Sequence, residues 1–122
     1  MTVSDLRPVG AEDLLGRDSV QPNPLLVART VEDKCVLVTG AGGSIGSELA
    51  RQIVRCKARR LVLFDVSENA LYEIDRELRA LVADFVSKGE PGPKIIHVLG
   101  SVLDRDLMRN VIKHHGVQTI YH

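Results

Sequence analysis

Four of the seven residues 40–46 are glycine, in a segment that reads TGAGGSIG from residue 39. Glycine is costly in regular structure, so a segment with this many must need backbone without side chains. Two explanations are open: a tight turn that lets the chain reverse, or a loop whose backbone approaches the phosphate groups of a ligand. The spacing of the glycines and the elements on either side bear on the choice.

Continuous apolar runs alternate with amphipathic segments from residue 35 onward. The runs predict parallel strands buried on both faces, at residues 35–39, 61–64, 95–99 and 117–121. The segments between them predict helices, at residues 43–56, 67–88 and 104–115. This order predicts an α/β fold, a three-layer doubly wound Rossmann fold that is present in part, with parallel strands in the order 3-2-1-4.

Residues 1–33 differ in character from the rest of the chain. They hold three of the five prolines and show no sustained periodicity apart from short turns expected around 12–15 and 25–29. We interpret them as an irregular N-terminal arm or linker, followed by a partial nucleotide-binding domain at 34–122. The chain stops at His122, where strand four would be an unprotected sheet edge. We therefore expect part of a longer protein, marginally stable alone or self-associating as a homo-oligomer.

The composition limits the class of partner. Sixteen basic residues balance sixteen acidic ones and only 3% of residues are aromatic, which argues against a nucleic-acid surface. No apolar run approaches the roughly 20 residues of a membrane span, and the N-terminus lacks the regions of a signal peptide. Two widely separated cysteines favour a reduced, cytoplasmic chain. We expect no membrane contact by this segment.

The glycine spacing separates the known phosphate-binding loops. A Walker A loop needs Gly-Lys before Ser or Thr, and no Gly-Lys pair occurs. The dehydrogenase pattern G-x-G-x-x-G, begun at Gly40 and Gly42, would put its last glycine at Ile45. Glycine at every third residue does fit, at Gly40, Gly43 and Gly46. In that pattern the first glycine allows the turn, the second lets backbone approach a pyrophosphate, and the third lets the helix pack closely.

Asp65 follows the second apolar run, 19 residues beyond Gly46. A carboxylate at the carboxyl end of strand two can accept hydrogen bonds from both ribose hydroxyls of an adenosine, and would repel a 2′-phosphate. Arg59 and Arg60 precede that strand, so they lie at its other end. NAD is therefore favoured over NADP. The alternative for Asp65 itself is an aspartate that caps a helix or is solvated, without a role in binding. A methyltransferase that uses S-adenosylmethionine would usually carry an acidic residue where this chain has Thr39.

The segment T-G-A-G-G-S-I-G-S-E resembles the loop T-G-x-x-G-x-x-G of the extended short-chain dehydrogenase/reductase superfamily. Four further segments, at 12–18, 65–72, 100–105 and 118–122, read E-D-L-L-G-R-D, D-V-S-E-N-A-L-Y, G-S-V-L-D-R and Q-T-I-Y-H. They resemble bacterial polysaccharide-biosynthesis enzymes, the membrane-anchored UDP-N-acetylglucosamine 4,6-dehydratases, over roughly residues 11–122. Three alternatives stay open: a nucleotide-sugar 4-epimerase, a non-catalytic NAD-binding or sensing module, and a structural α/β fragment without a ligand.

The resemblance implies a reaction and a set of binding residues. In that family a bound nicotinamide takes hydride from C4 of the sugar, water is eliminated across C5 and C6, and the hydride returns to C6. The cofactor-binding residues implied by position are Gly40, Gly43, Ser44, Ile45 and Gly46 at the pyrophosphate, Asp65 and Ser67 at the ribose, and Ser101 and Val102 at the adenine. The implied substrate of the full-length protein is a nucleotide sugar, and the implied location is the cytoplasm, with an anchor in the inner membrane.

The superfamily's catalytic pair, Tyr-x-x-x-Lys, has no match in this chain. Tyr72 is followed at that distance by Arg76, and Tyr121 is one residue from the end. We therefore expect the catalytic residues to lie outside this chain, which alone would be inactive. His114 and His115 predict a solvated pair at a helix end rather than a metal site, since no cysteine or carboxylate cluster joins them.

Overall fold

The computed structural model describes residues 30–122, in which strands and helices alternate. The strands are β1 (Cys35–Thr39), β2 (Arg60–Asp65), β3 (Lys94–Leu99) and β4 (Thr119–Tyr121). The helices are α1 (Ser44–Arg55), α2 (Glu68–Ser87) and α3 (Arg105–His115). Within this range, no helix combines the length and the apolar character that a membrane span requires. The turns expected at 12–15 and 25–29 lie outside the described residues.

The four strands form one parallel sheet in the order β3-β2-β1-β4, which confirms the predicted fold and strand order. Val36 of β1 lies opposite Leu61 of β2 on one side and Thr119 of β4 on the other. The strand order therefore changes direction at β1. In sheets of this kind ligands bind beyond the carboxyl ends of the strands at such a point.

Both faces of the sheet are covered, which explains why the strands are continuous apolar runs. Alternate residues point to opposite faces. One face packs against α1 and α2 in a core that contains Val36, Val38, Leu49, Ile53, Leu61, Leu63, Leu71, Ile74 and Leu78. The other packs against α3 through Cys35, Leu37, Val62, Phe64 and Val111.

The predicted helix ends are confirmed by their caps. The Ser67 hydroxyl oxygen accepts the Ala70 N–H, and an oxygen of Asp104 accepts the Leu107 N–H 3.1 Å away. Gly116 ends α3 with a φ of +65°, which glycine adopts at little cost.

Strand β4 begins two residues later than predicted. The N–H of Val117 donates to the carbonyl oxygen of Ile112 and so closes the end of α3. The first strand-like contact is that of Gln118, whose N–H donates to the Cys35 carbonyl oxygen over 2.8 Å. The apolar side chain of Val117 therefore packs in the core on the α3 side of the sheet and does not belong to a strand.

Residues at the end of the expected arm are part of the packed domain. Val31 is fully buried in the same core as α1 and α2. The hydroxyl groups of Thr30 and Tyr121 share a hydrogen bond of 2.6 Å, and Glu32 forms a β-bridge with Ala58. Packing of the domain therefore extends at least to Thr30.

Candidate functional site

The glycine loop, residues 39–46, leaves β1 at the carboxyl edge of the sheet. Gly40 has a φ of +63°, a left-handed conformation that turns the chain out of the strand. Its carbonyl oxygen accepts the Gly43 N–H over 3.0 Å. The Ala41 N–H donates to the carbonyl oxygen of Phe64, so the loop is also bonded to β2. The first glycine therefore makes the turn that its place in the pattern predicts.

Gly46 lets helix α1 lie against that turn. A Cβ atom at residue 46 would lie 2.1 Å from the Gly40 oxygen and 2.9 Å from the Gly40 carbonyl carbon. Real Cβ atoms are essentially never found so close to backbone. The close approach predicted for the third glycine is present, and it is made to the loop just beyond β1.

The first turn of α1 exposes backbone donors. Gly43 is the N-cap, in an ordinary extended conformation, and no side chain caps the helix. Ser44 and Ile45 are exposed, and the first turn contains no acidic residue. The first N–H groups of a helix have no partner within the helix, and they lie at its positive end. This end of α1 can therefore accept an anion.

Asp65, the last residue of β2, lies between the glycine loop and the start of α2. One carboxylate oxygen, Oδ2, accepts the Gly42 N–H over 2.8 Å. The other, Oδ1, accepts the Ser67 N–H over 2.9 Å. A carboxylate can accept about four hydrogen bonds, so each oxygen of Asp65 keeps capacity for a ligand hydroxyl.

The turns after β2 and β3 supply the remaining predicted residues. The Gly100 N–H donates to the Asp65 carbonyl oxygen, which places the turn after β3 beside β2. In that turn the Ser101 hydroxyl oxygen accepts the Leu103 N–H, and the Val102 side chain is exposed. The nine residues predicted to hold a cofactor therefore lie in three adjacent turns along one edge of the sheet.

Gly42, which lies outside the three-residue period, also belongs to this arrangement. It donates to Asp65, and a Cβ atom at residue 42 would lie 2.4 Å from the Ala70 Cβ. The available signal was the glycine itself, because a glycine outside the binding period still needs a physical reason.

A second unpredicted contact joins β1 to β4. The Thr39 hydroxyl oxygen lies 2.9 Å from Nδ1 of His122, where the strand order changes direction. No local pattern could have revealed this pair, since 83 positions separate the two residues.

An open groove of about 490 Å³ runs between α1 and α2, and its lining includes Gly42 and Ser67, the two residues whose N–H groups donate to Asp65. Its charged lining residues are Arg51, Glu73 and Glu77. Arg51 donates to both carboxylate oxygens of Glu77 and to Glu48. The bond from Arg51 lowers the pKa of Glu77. The cation that lines this groove is thus already neutralised by carboxylates.

Arg59 and Arg60, at the start of β2, lie at the opposite end of that strand from Asp65, as expected. Arg60 donates to the carbonyl oxygen of His115 over 2.8 Å, and Arg59 donates to the side chain of Gln118. Both are therefore too far from Asp65 to neutralise a phosphate beside it.

Two solved structures show the same fold. A short chain dehydrogenase from Mycobacterium smegmatis superposes with a TM-score of 0.54 at 26% identity, covering 72% of this chain and 35% of that one. A 3-oxoacyl-[acyl-carrier protein] reductase with bound NAD from Brucella melitensis superposes with a TM-score of 0.55 at 22% identity. That match covers 83% of this chain and 35% of the reductase. The fold is thus the Rossmann fold of the short-chain dehydrogenases/reductases.

Sequence comparison agrees with the fold. The capsular polysaccharide biosynthesis protein CapD of Staphylococcus aureus is 33% identical over 122 residues, which are 100% of this chain and 19% of CapD. The chain spans about a fifth of the length of the curated relatives it matches. Residues 36–122 match the model of the family described as polysaccharide biosynthesis protein. The chain therefore belongs to the polysaccharide biosynthesis protein family.

Proposed function

We propose that this chain is the NAD-binding part of a nucleotide-sugar 4,6-dehydratase of the UDP-N-acetylglucosamine type, which acts in bacterial surface polysaccharide biosynthesis. Membership of the polysaccharide biosynthesis family supports the pathway. The fold and the loop at its carboxyl edge support a dinucleotide. In this proposal the groups that bind the sugar and catalyse the reaction belong to parts of the full-length protein outside this chain. The part described here would lie in the cytoplasm.

The observation that carries the proposal is Gly43. Its φ of −74° is open to any residue, and a Cβ atom there would meet nothing nearer than the Gly40 oxygen at 3.4 Å. Gly43 is also exposed, at the start of a helix without a side-chain cap. Nothing in the packing of the described chain requires glycine at this position. A ligand whose phosphate groups lie against the backbone would require it.

The surrounding residues fit a dinucleotide. The N–H groups of residues 44–46 would bind the pyrophosphate at the positive end of α1. Asp65, with Ser67 beside it, would accept the ribose hydroxyls, and Ser101 with Val102 would border the adenine. When bound, the nicotinamide supplies a reversible hydride acceptor for the sugar. The role of this chain is to bind and orient that group, not to move protons.

The charges around Asp65 support NAD over NADP. A 2′-phosphate at that ribose would lie near Asp65 and near the groove that contains Glu73 and Glu77. Arg51, the cation that lines the groove, is already bonded to Glu77 and Glu48. Recognition of a 2′-phosphate usually requires an arginine that is free to bind it.

Calorimetric titration of this chain with NAD and with NADP tests the cofactor. We expect NAD to bind more tightly, and we expect Gly43→Ala to weaken NAD binding at least tenfold while the chain stays folded by circular dichroism. Binding of neither dinucleotide by a folded sample would refute the cofactor assignment, and tighter binding of NADP would refute the role of Asp65.

The reaction is tested with the full-length protein and UDP-N-acetylglucosamine. A dehydratase gives a product that has lost one water and carries a keto group at C4. A product of unchanged mass with inverted C4 would identify an epimerase instead. No conversion by a full-length protein that binds both NAD and the nucleotide sugar would favour a sensing module.

A further inference from the structure

Two backbone N–H groups hold the Asp65 carboxylate from opposite sides. Gly42 donates to Oδ2 over 2.8 Å from the glycine loop, and Ser67 donates to Oδ1 over 2.9 Å from the start of α2. We call this pair of donors the Asp65 clamp. Because each donor bonds a different oxygen, the clamp fixes the rotation of the carboxylate as well as its position.

The Gly42 half of the clamp depends on a close contact between the loop and α2. A Cβ atom at residue 42 would lie 2.4 Å from the Ala70 Cβ, 2.9 Å from the Ala70 carbonyl carbon and 3.1 Å from its oxygen. Ala70 is itself fixed, because its N–H donates to the hydroxyl oxygen of the Ser67 cap. Any side chain at residue 42 must therefore move the loop away from α2.

We propose that Gly42 is a positioning residue, which orients Asp65 for the ribose by resting its backbone on Ala70. This inference rests on the proposed NAD-binding function. Movement of the loop away from Ala70 carries the Gly42 N–H with it, since both belong to one residue. The carboxylate then loses the donor on Oδ2. In the variant, ribose binding must fix the orientation of the Asp65 carboxylate, which in the wild type is fixed before the ligand binds.

Gly42 differs in this from Gly43, where an added side chain would face the ligand. A methyl group at Gly43 meets only ordinary contact within the chain, so Gly43→Ala would block a ligand directly and leave the clamp intact. Gly42→Ala would open the clamp without placing a group against the pyrophosphate. The two variants therefore separate positioning from direct obstruction.

Calorimetry on four variants measures the effect. We expect Gly42→Ala to weaken NAD binding about tenfold, as for the loss of one charge-assisted hydrogen bond. Adding Ala70→Gly removes the 2.4 Å contact but leaves the one at 2.9 Å, so it should restore binding in part. Ala80→Gly is the matched control in Gly42→Ala, since Ala80 is exposed in the same helix and its loss should restore nothing. Ala70→Val should weaken NAD binding from the α2 side.

Nuclear magnetic resonance of the chain without NAD gives a readout that is independent of the cofactor. Replacement of Asp65 by asparagine should shift the amide signals of both Gly42 and Ser67, because each N–H donates to the Asp65 carboxylate in the wild type. In Gly42→Ala the amide of residue 42 should stop responding while that of Ser67 continues. These measurements need folded protein but no cofactor, so they test the clamp independently of NAD binding.

The outcomes separate the two hypotheses. Responding amides in a wild type that does not bind NAD would support the clamp and refute the proposed function. The positioning role would be overturned if the wild type binds NAD but its Gly42 amide signal does not respond to the change at Asp65. Wild-type affinity for NAD in Gly42→Ala, or equal rescue by Ala70→Gly and Ala80→Gly, would overturn it as well.

Discussion

Replacement of Gly46 by alanine should destabilise the domain more than the same replacement at Gly43, three residues earlier in the same loop. The new methyl carbon would lie 2.1 Å from the Gly40 oxygen, so the start of α1 must move by about 1 Å to reach ordinary contact. Helix α1 buries Leu49, Ala50 and Ile53 in the main core, and a displacement of this size forfeits part of their packing.

The size of the effect follows from two opposing contributions. Overpacking of this kind costs about 1–3 kcal/mol, while removal of a helical glycine gains up to about 1 kcal/mol. We expect a net loss near 2 kcal/mol for Gly46→Ala, which for a domain of this size lowers Tm by roughly 10 °C. Gly43→Ala meets only a 3.4 Å contact, so its cost should be limited to that of a poorer N-cap, at most about 1 kcal/mol.

Urea unfolding followed by circular dichroism measures both variants against wild type in one set of conditions. An unchanged midpoint for Gly46→Ala would show that α1 moves freely against the loop and would refute the packing argument. Equal losses in the two variants would show that glycine is needed for flexibility rather than for space.

Two further predictions concern charge. The Arg51 bond lowers the pKa of Glu77 below its ordinary value in the folded state, so its contribution is present above the unfolded pKa and is lost as pH falls through the folded one. Half of the Glu77 side chain is exposed, so Glu77→Gln should lower the free energy of unfolding by at most about 1 kcal/mol at pH 6 and by less near pH 3. A loss of stability that grows on acidification would contradict the direction of the pKa shift. Burial, with smaller contributions from His114, Arg60 and Lys94, lowers the pKa of His115 from its ordinary value. Removal of one positive charge in Lys94→Gln should raise that pKa in a ring-proton titration, and no movement would exclude Lys94 as a contributor.

The fold was readable from the sequence because its signals are local. A parallel sheet covered on both faces makes each strand a continuous apolar run, and the alternation of such runs with helices, with the rules for parallel crossovers, predicted the pairing of β1, β2 and β3. The caps at Ser67, Asp104 and Gly116 lie within four residues of the groups they bond, so residue type and position were enough. The start of β4 was predicted wrongly because an apolar residue there completes the end of a helix.

The candidate site was predicted less completely, because its contacts join elements that meet only after the sheet has formed. The bond from Gly42 to Asp65 spans 23 positions, and that from Thr39 to His122 spans 83. The contact of residue 42 with Ala70 depends on how α2 lies against the loop, which no periodicity specifies. Residue type indicated which groups could bind a dinucleotide, but not what holds those groups in place.

The four glycines of the loop have different physical roles, and these roles decide what a glycine pattern can indicate about a ligand. Gly40 is required by its backbone conformation, Gly42 by Ala70, and Gly46 by the Gly40 carbonyl group. Each of these demands arises within the chain, so a protein with this fold would keep those three glycines even without a ligand. Gly43 alone of the four is free of such a demand. Two members of the three-residue period, Gly40 and Gly46, therefore report the turn and the helix packing, and the argument for a bound pyrophosphate depends on the third, Gly43.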